Sequence, residues 1–267
     1  MSRIQTVFSA LKANHKKALI PYITAGDPHP NHTVAILHTL VKSGADMIEL
    51  GIPFSDPMAD GPVIQRASER ALVHKVGLSK VLQLVKEFRQ TDTQTPIILM
   101  GYANPIEAMG AEKFTQAAKE AGVDGVLTVD YPPEECKAFI ASLQAAGMDS
   151  IFLLSPTSDA ARVDLIVNQA SGFLYYVSLK GVTGAANMDV AQVKARVEEI
   201  RSKTNLPIGV GFGVKDAATA KQVAEFADAI VVGSRMVVTI ENSTEDNLMH
   251  NISQLMQELR SAIDASS

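Results

Sequence analysis

The sequence predicts an α/β fold of the (β/α)8 TIM-barrel class with an extra N-terminal helix. Eight short runs rich in Ile, Val and Leu recur along the 267 residues, and stretches with helical periodicity separate them. The runs are apolar throughout rather than alternating, as expected for parallel strands that are buried on both faces. Eight such strands with their crossover helices fit roughly 250 residues.

The predicted elements alternate in chain order. The strands are Ala18–Thr24, Met47–Gly51, Ile97–Tyr102, Gly125–Val129, Ser150–Ser155, Phe173–Ser178, Pro207–Phe212 and Ala229–Gly233. The helical stretches are His32–Ser43, Leu78–Arg89, Ala111–Ala121, Pro133–Ala146, Ala160–Gln169, Val190–Lys203, Ala217–Phe226 and Thr244–Ile263. Glycines that would end helices in a left-handed cap precede four strands, at Gly44, Gly122, Gly147 and Gly172.

The N-terminal segment and the number of domains can also be predicted from the sequence. Apolar residues at helical spacing, from Ile4 to Leu11, predict a helix that packs on the barrel floor, with a targeting helix as the alternative. No linker or charge run divides the chain, so we expect one domain over 1–267. A doubly wound open sheet is the structural alternative, which ITAGDP in place of G-x-G-x-x-G after the first strand disfavours.

Bulk composition excludes several classes of function. A net charge of −5 argues against a nucleic-acid partner, which needs a basic face. No apolar run reaches the ~18 residues needed to span a membrane. The single cysteine, Cys136, excludes an intramolecular disulfide and agrees with a cytoplasmic location. Its acidic neighbours do not activate a thiolate, so we expect no role in chemistry for Cys136.

In a barrel of this class the loops after the strands build the active site, which selects six ionisable candidates. They are Asp27, Glu49, Asp56, Asp60, Asp130 and Lys180. Glu49 lies in the apolar strand IELG, where burial raises a carboxyl pKa towards a value useful for proton transfer. A structural ion pair is the alternative for Glu49, and a helix N-cap or a solvated loop position is the alternative for Asp60.

Glycines after the last two strands indicate a phosphate site. GVGFGV contains Gly211 and Gly213, and VVGSRM contains Gly233 and Ser234 at a helix start. Backbone N–H groups at such turns bind anions, although the glycines could merely make tight turns.

The long loop SLKGVTGAANMD has the composition of a mobile lid. Within it, Gly184 could add an N–H to the phosphate and Thr183 a hydroxyl to a carboxylate. Lys180 could form a Schiff base, but its polar surroundings favour a solvated lysine. His29 and His32 lack a third ligand, so no metal site is expected.

Six segments closely resemble the tryptophan synthase alpha subunit family, over about residues 20 to 236. They are PYITAGDP, IELGIPFSDPMADGPVIQRA, GYANPI, SLKGVTGA, GVGFGV and AIVVGSRMV. The resemblance implies a lyase that cleaves indole-3-glycerol phosphate to indole and glyceraldehyde 3-phosphate, the alpha reaction of tryptophan biosynthesis. It implies no cofactor on this chain, and an α2β2 complex with a beta subunit that carries pyridoxal phosphate and is contacted through the Pro53–Asp60 loop.

The resemblance also implies roles for individual residues. Glu49 would be the general acid–base, Asp60 would hold the indole N–H, and Tyr175 would position Glu49. The phosphate would be bound by Gly184, Gly213, Gly233 and Ser234. The indole pocket would be lined by Tyr22, Ile64, Met100, Leu127 and Phe212.

This sequence departs from relatives at Tyr22, where Phe is common, and at Leu179, where some carry Arg; both differences concern pocket polarity and lid closure. Another phosphate-binding barrel, such as a sugar-phosphate isomerase, and a non-catalytic activating subunit are the alternative functions. Indole-glycerol-phosphate synthase is a further alternative. It would be expected to carry a catalytic lysine within a strand, and strands 2 to 4 contain no lysine.

Overall fold

The computed structural model describes residues 2–177, 189–211 and 213–266. Its strands are β1 (Ala18–Thr24), β2 (Ile48–Gly51), β3 (Ile97–Gly101), β4 (Gly125–Thr128), β5 (Asp149–Leu154), β6 (Leu174–Val177), β7 (Ile208–Gly211) and β8 (Ala229–Val232). They form a closed barrel in sequence order, every neighbouring pair is parallel, and β8 pairs with β1. The predicted (β/α)8 barrel is therefore confirmed.

The helices surround this barrel. They are α1 (Arg3–Ala13), α2 (Pro30–Lys42), α3 (Pro62–Val73), α4 (Leu78–Phe88), α5 (Ala103–Met109), α6 (Ala111–Ala121), α7 (Lys137–Ala145), α8 (Ala160–Gln169), α9 (Val190–Arg201), α10 (Ala217–Ala224), α11 (Ser234–Glu241) and α12 (Leu248–Asp264). Within the described ranges, none of them is long and apolar enough to cross a membrane.

The extra N-terminal helix closes one end of the barrel, as expected. Ile4 and Phe8 of α1 are buried in the cluster that fills the barrel interior, and the Phe8 and Phe173 ring centroids are 5.8 Å apart. A capping box at Ser2 begins the helix, and Arg3 donates to the Asp124 carboxylate at 2.7 Å. The helix thus seals the end of the barrel opposite the loops that follow the strands.

The turns that precede four of the strands have the conformation that the sequence predicts. The four glycines predicted to end helices all have positive φ, between 74° and 102°. At Gly122 the left-handed residue donates its N–H to the Lys119 carbonyl, at 3.0 Å, and so closes α6 before β4.

Three helix predictions need correction. Helix α5 was not expected, because seven residues that include an Asn-Pro pair are too short for a periodic signal and contain a turn dipeptide. Helix α7 begins at Lys137 rather than Pro133, after a turn in which the Glu135 N–H bonds the Pro132 carbonyl. Helix α12 begins at Leu248 rather than Thr244, because the Asn247 side chain accepts from the Thr244 N–H in a preceding turn.

Two helices, α3 and α11, are additional to the simple strand–helix alternation and shape the site. Helix α3 follows the long loop after β2, and α11 follows β8 directly. They pack against each other and against β1. Their contact is a small apolar cluster that contains Tyr22, Ile64, Ala67 and Val237.

Candidate active site

A cavity opens at the end of the barrel where the strands terminate. It encloses about 480 Å³ of space outside protein atoms, including its open mouth, which is within the range of small-molecule sites. Its lining comes from β1, β2, β3, β6 and β8, from the loop after β2, from the segment after β7 and from the starts of α3 and α11. The lining residues are Tyr22, Glu49, Asp60, Ile64, Met100, Tyr175, Gly213, Val214, Val231, Gly233 and Ser234.

Glu49 is the acidic group at the base of this cavity. It is the second residue of β2, lies opposite Tyr22 of β1 and Ile98 of β3, and is only 2% exposed. Burial raises its pKa to about 8, and the nearby Asp60 carboxylate contributes in the same direction. At neutral pH the Glu49 carboxyl is therefore mostly protonated and can donate a proton.

Asp60 reaches the cavity from the loop after β2. Its carboxylate accepts the Tyr102 hydroxyl at 3.0 Å, and the same hydroxyl accepts the Ala59 N–H at 3.1 Å. Helix α3 has Gly61 as its N-cap, so the sequence-based alternative that Asp60 caps the helix is wrong. Burial raises the Asp60 pKa, and the Tyr102 hydrogen bond opposes that rise.

An anion-binding geometry lines the same cavity as these carboxyls. Gly213 has a φ of +85°, which an L side chain rarely adopts. Gly233 immediately precedes α11, whose first residue is Ser234, so the helix presents free N–H groups and the positive end of its dipole. The phosphate-binding candidates that follow β7 and β8 thus line one cavity together.

Two tyrosines cross the barrel mouth over glycines. A Cβ at Gly51 would lie 2.1 Å from the Tyr22 hydroxyl, and a Cβ at Gly211 would lie 2.2 Å from the Tyr175 hydroxyl. Gly211 is therefore required by the close approach of Tyr175 rather than only by an anion.

The hydroxyls of both tyrosines are uncharged. The Tyr22 hydroxyl is 3.2 Å from the Thr24 hydroxyl. Burial raises the pKa of Tyr175 well above its usual value, and Glu49 adds to the effect, so Tyr175 stays neutral.

The remaining sequence candidates are distributed differently. Leu127 is fully buried in the barrel interior and is not among the cavity-lining residues. Phe212, Thr183, Gly184, Leu179 and Lys180 lie outside the described residues.

Three acidic candidates have structural partners away from the cavity. Asp27 is fully buried and paired with Arg70, Asp130 accepts the Ala103 N–H, and Asp56 accepts the Ser55 hydroxyl.

Residues outside the cavity behave as ordinary structural groups. His29 accepts the Asn31 N–H and caps α2. Among the described ranges, no three His, Cys, Asp or Glu side chains could hold a metal ion together. Burial and two neighbouring glutamates raise the pKa of Cys136 to about 11, and its thiol donates to the Pro132 carbonyl, so the thiol is unreactive.

Sequence reasoning missed three groups at this site. Tyr102 holds Asp60, and Val214 and Val231 line the cavity. The tyrosine stands in the GYANPI segment directly after β3, so its position at a strand end was the available signal. The two valines lie in apolar segments, where the sequence does not distinguish cavity wall from core.

A family model described as "Tryptophan synthase alpha chain" matches residues 8–264. The chain belongs to the tryptophan synthase alpha chain family. Curated alpha chains of Cupriavidus taiwanensis and Dechloromonas aromatica are each 59% identical; the match covers 99% of this chain in both cases, and 100% and 98% of the relatives. The crystal structure of tryptophan synthase subunit alpha from Legionella pneumophila superposes with a TM-score of 0.93 at 49% identity, over 99% of both chains.

Membership of the tryptophan synthase alpha chain family confirms the predicted class of activity. The chain is a lyase of the alpha reaction of tryptophan biosynthesis. No finding favours a sugar-phosphate isomerase or a non-catalytic subunit. The family name does not assign a role to any residue, so the roles of Glu49, Asp60 and the glycines depend on the geometry above.

Proposed function

We propose that the cavity binds indole-3-glycerol phosphate with its phosphate at Gly213, Gly233 and Ser234. The indole ring would lie against Tyr22, Ile64 and Met100, which belong to the apolar part of the lining. One observation carries this proposal: a buried, protonated Glu49 and a free helix N-terminus line the same cavity. The substrate needs both groups, because its phosphate and its reacting carbon lie at opposite ends of a short side chain.

Glu49 would act twice in one turnover. Its carboxyl donates a proton to C3 of the indole ring, which gives a cation with the positive charge shared with the ring nitrogen. The Glu49 carboxylate then takes the proton from the hydroxyl on the adjacent side-chain carbon. That carbon becomes an aldehyde, its bond to C3 breaks, and the bonding electrons return to the indole ring. Indole and glyceraldehyde 3-phosphate leave, and Glu49 is protonated again.

Asp60 would stabilise the cationic intermediate. Its carboxylate can accept the ring N–H and place a negative charge beside the developing positive charge. Tyr102 supports this role because its hydroxyl fixes one carboxylate oxygen while the other remains available. Tyr175 would position the Glu49 carboxyl, and Tyr22 would line the indole pocket beside it. The contributions predicted for Thr183, Gly184, Phe212 and Leu127 stay predictions.

The protonated ring itself accepts the electrons of the breaking bond, so we propose no cofactor on this chain. We further propose an α2β2 complex in which a beta subunit holds pyridoxal phosphate and receives the indole. The Pro53–Asp60 loop would contact that subunit; its Met58 is 80% exposed, and the loop leads directly to Asp60. A cytoplasmic location and a single domain over 1–267 also stay predictions.

The decisive test is indole release from indole-3-glycerol phosphate by the purified chain, with and without a purified tryptophan synthase beta subunit. We expect slow release from the chain alone and a clear increase with the beta subunit, because loop closure would be coupled to partner binding. A chain that binds the beta subunit yet releases no indole would refute the proposed function.

A further inference from the structure

Helices α3 and α11 carry opposite ends of the candidate site. Asp60 immediately precedes the Gly61 cap of α3, and Ile64 in its first turn lines the apolar end of the cavity. Ser234 begins α11 at the anion-binding end. Neither helix belongs to the strand framework, so the spacing between the two ends depends on how these helices are held together.

A chain of ion pairs joins the two helices away from the cavity. Arg66 donates two hydrogen bonds to the Glu241 carboxylate, both at 2.8 Å. Arg70, four residues further along α3, donates to Glu241 at 2.7 Å. Arg70 also donates to both oxygens of Asp27, at 2.7 and 3.0 Å. We call these four residues the helix clamp.

The anchor of the helix clamp is Asp27 in the loop after β1. Its side chain is 0% exposed, and its two oxygens accept two hydrogen bonds from the Arg70 guanidinium. This bidentate arrangement is the most directional geometry for such a pair. Arg70 is thereby fixed to the barrel wall, and Glu241 is held by a guanidinium that cannot easily rotate. A pair fixed in this way is less mobile than an ordinary surface salt bridge between two flexible side chains.

Glu241 occupies a position that the helix dipole disfavours. It is the last residue of α11, where the negative end of the dipole repels a carboxylate. Hydrogen bonds from Arg66, followed by the charges of Arg70 and Arg66, lower its pKa to about 2, so it stays ionised. Glu241 is seven residues from Ser234, roughly 10 Å along a helix. A displacement of Glu241 would therefore be carried along α11 to the end that lines the cavity.

We infer that Glu241, held by Arg66 and Arg70, is a positioning residue that fixes the distance between the phosphate end and the indole end of the site. This inference rests on the proposed function. None of the four clamp residues lines the cavity, so the effect acts through α3 and α11. A substrate that must contact both ends at once needs this spacing, whereas a ligand that contacts one end does not.

The test uses Glu241→Gln, which keeps the shape but removes the charge at a partly exposed position. Arg66→Met removes the two outer hydrogen bonds and leaves Arg70 paired with Asp27. Asp164→Asn is the matched control, because it removes the charge that pairs with Lys203, between α8 and the turn after α9, and neither helix contributes a residue to the cavity lining. Three ligands are compared: indole-3-glycerol phosphate, glycerol 3-phosphate and indole.

For Glu241→Gln we expect KM for indole-3-glycerol phosphate to rise about tenfold, with kcat within about threefold of wild type. The dissociation constants of glycerol 3-phosphate and of indole should stay within about twofold. Arg66→Met should give a smaller rise in KM, and Asp164→Asn none. A KM for Glu241→Gln within twofold of wild type would overturn the inference. Equal losses for the substrate and both half-ligands would overturn it too, because they indicate local damage.

Hydrogen exchange of the ligand-free chain separates this inference from the proposed function. Loss of the clamp should speed exchange of the hydrogen-bonded amides of α11, from Val237 onward, and exchange unchanged from wild type would overturn the inference. If wild type cleaves no substrate, the proposed function fails, and the exchange result still decides whether the clamp holds α11.

Discussion

Glu49 combines deep burial with a position at the base of an open cavity. A fully ionised carboxylate there would lose most of its hydration, and the nearby Asp60 would add repulsion, so the proton stays bound up to about pH 8. This cost to the folded state has a chemical use, because an acid with a pKa near the working pH transfers protons efficiently in both directions.

Glu49→Gln should abolish lyase turnover. The amide keeps the shape of the side chain but cannot exchange a proton, so we expect kcat to fall by about 10²–10⁴-fold or more, with KM nearly unchanged. Glu258→Gln on the exposed face of α12 is the control. Indole release is the measurement, and turnover near wild type in Glu49→Gln would remove Glu49 from the mechanism.

The same substitution should increase stability in a pH-dependent way. Because the folded pKa of Glu49, about 8, lies above its usual 4.5, the folded state keeps a proton that the unfolded chain releases between these values. Wild type therefore loses free energy of unfolding as pH rises from about 4.5 to 8, whereas the amide of the Glu49→Gln variant does not titrate and contributes no such loss. Urea unfolding at pH 5 and pH 8 should show Glu49→Gln gaining up to a few kcal/mol relative to wild type at the higher pH. A difference between the two proteins that is independent of pH would contradict the buried, protonated state.

Tyr102→Phe tests the partner of Asp60. The ring, which lies 5.2 Å from the Phe54 ring, would keep its packing, while the Asp60 carboxylate and the Ala59 N–H lose the hydroxyl. A lost hydrogen bond to a charged group costs about 1.5–3 kcal/mol, so kcat/KM should fall by roughly 10- to 100-fold. Tyr131→Phe, whose hydroxyl bonds Glu107 at the surface, is the control. Equal kinetics in the two variants would show that Asp60 does not need Tyr102.

At the scale of elements, three aspartates each tie the start of one strand to the start of the strand beside it. Asp46, Asp124 and Asp228 stand just before β2, β4 and β8, and each carboxylate accepts the N–H of a residue in the preceding strand. Each also receives an arginine from outside the sheet, and these are Arg260, Arg89 with Arg3, and Arg201. This repeated contact satisfies strand N–H groups at the closed end of the barrel, away from the chemistry.

Asp124→Asn should destabilise the barrel without changing catalysis. Asp124 is 4% exposed, and its partner Arg89 is 9% exposed, so removal of the carboxylate leaves a buried cation. Breaking such a pair costs about 3–5 kcal/mol. Asp228→Asn, where both partners are partly exposed, should cost about 1 kcal/mol or less. Urea unfolding measures both, and equal losses would show that burial does not set the cost.

At the scale of the whole molecule, the open end of the barrel is also the expected face for a partner. Met58, in the Pro53–Asp60 loop, exposes 80% of its surface, next to a groove formed by the same loop and α3. If a partner contacts this loop, as proposed above, the exposed Met58 beside Asp60 would give partner binding a direct route to the site.

Met58→Asp should weaken association with a beta subunit at least about tenfold, because the charge must be desolvated at the interface. Val73→Asp is a matched control, since Val73 is 78% exposed but lies at the end of α3 outside the loop. Calorimetric titration of each variant with the beta subunit is the measurement. Equal binding by both variants would place the interface elsewhere.

Much of the site could be predicted from chain order alone. In a closed parallel barrel every strand end faces the same mouth, so Glu49 of β2 and the glycines after β7 and β8 must approach one another. Val214 and Val231 show the limit of this reasoning, because an apolar residue near a strand end can face the core or the cavity and the sequence pattern is the same. The short helix α5 was missed for the related reason that seven residues carry too little periodicity.

The sequence by itself determined the barrel, the helix at its closed end, the buried acid and the glycine turns, because each depends on local periodicity or on a single residue type. Only the tertiary structure decided which side chains meet across the chain. Tyr102 reaches Asp60 over 42 positions, Arg70 reaches Asp27 over 43, and Arg70 reaches Glu241 over 171. Such contacts depend on how the elements pack around the closed barrel, so they cannot be predicted from the local sequence.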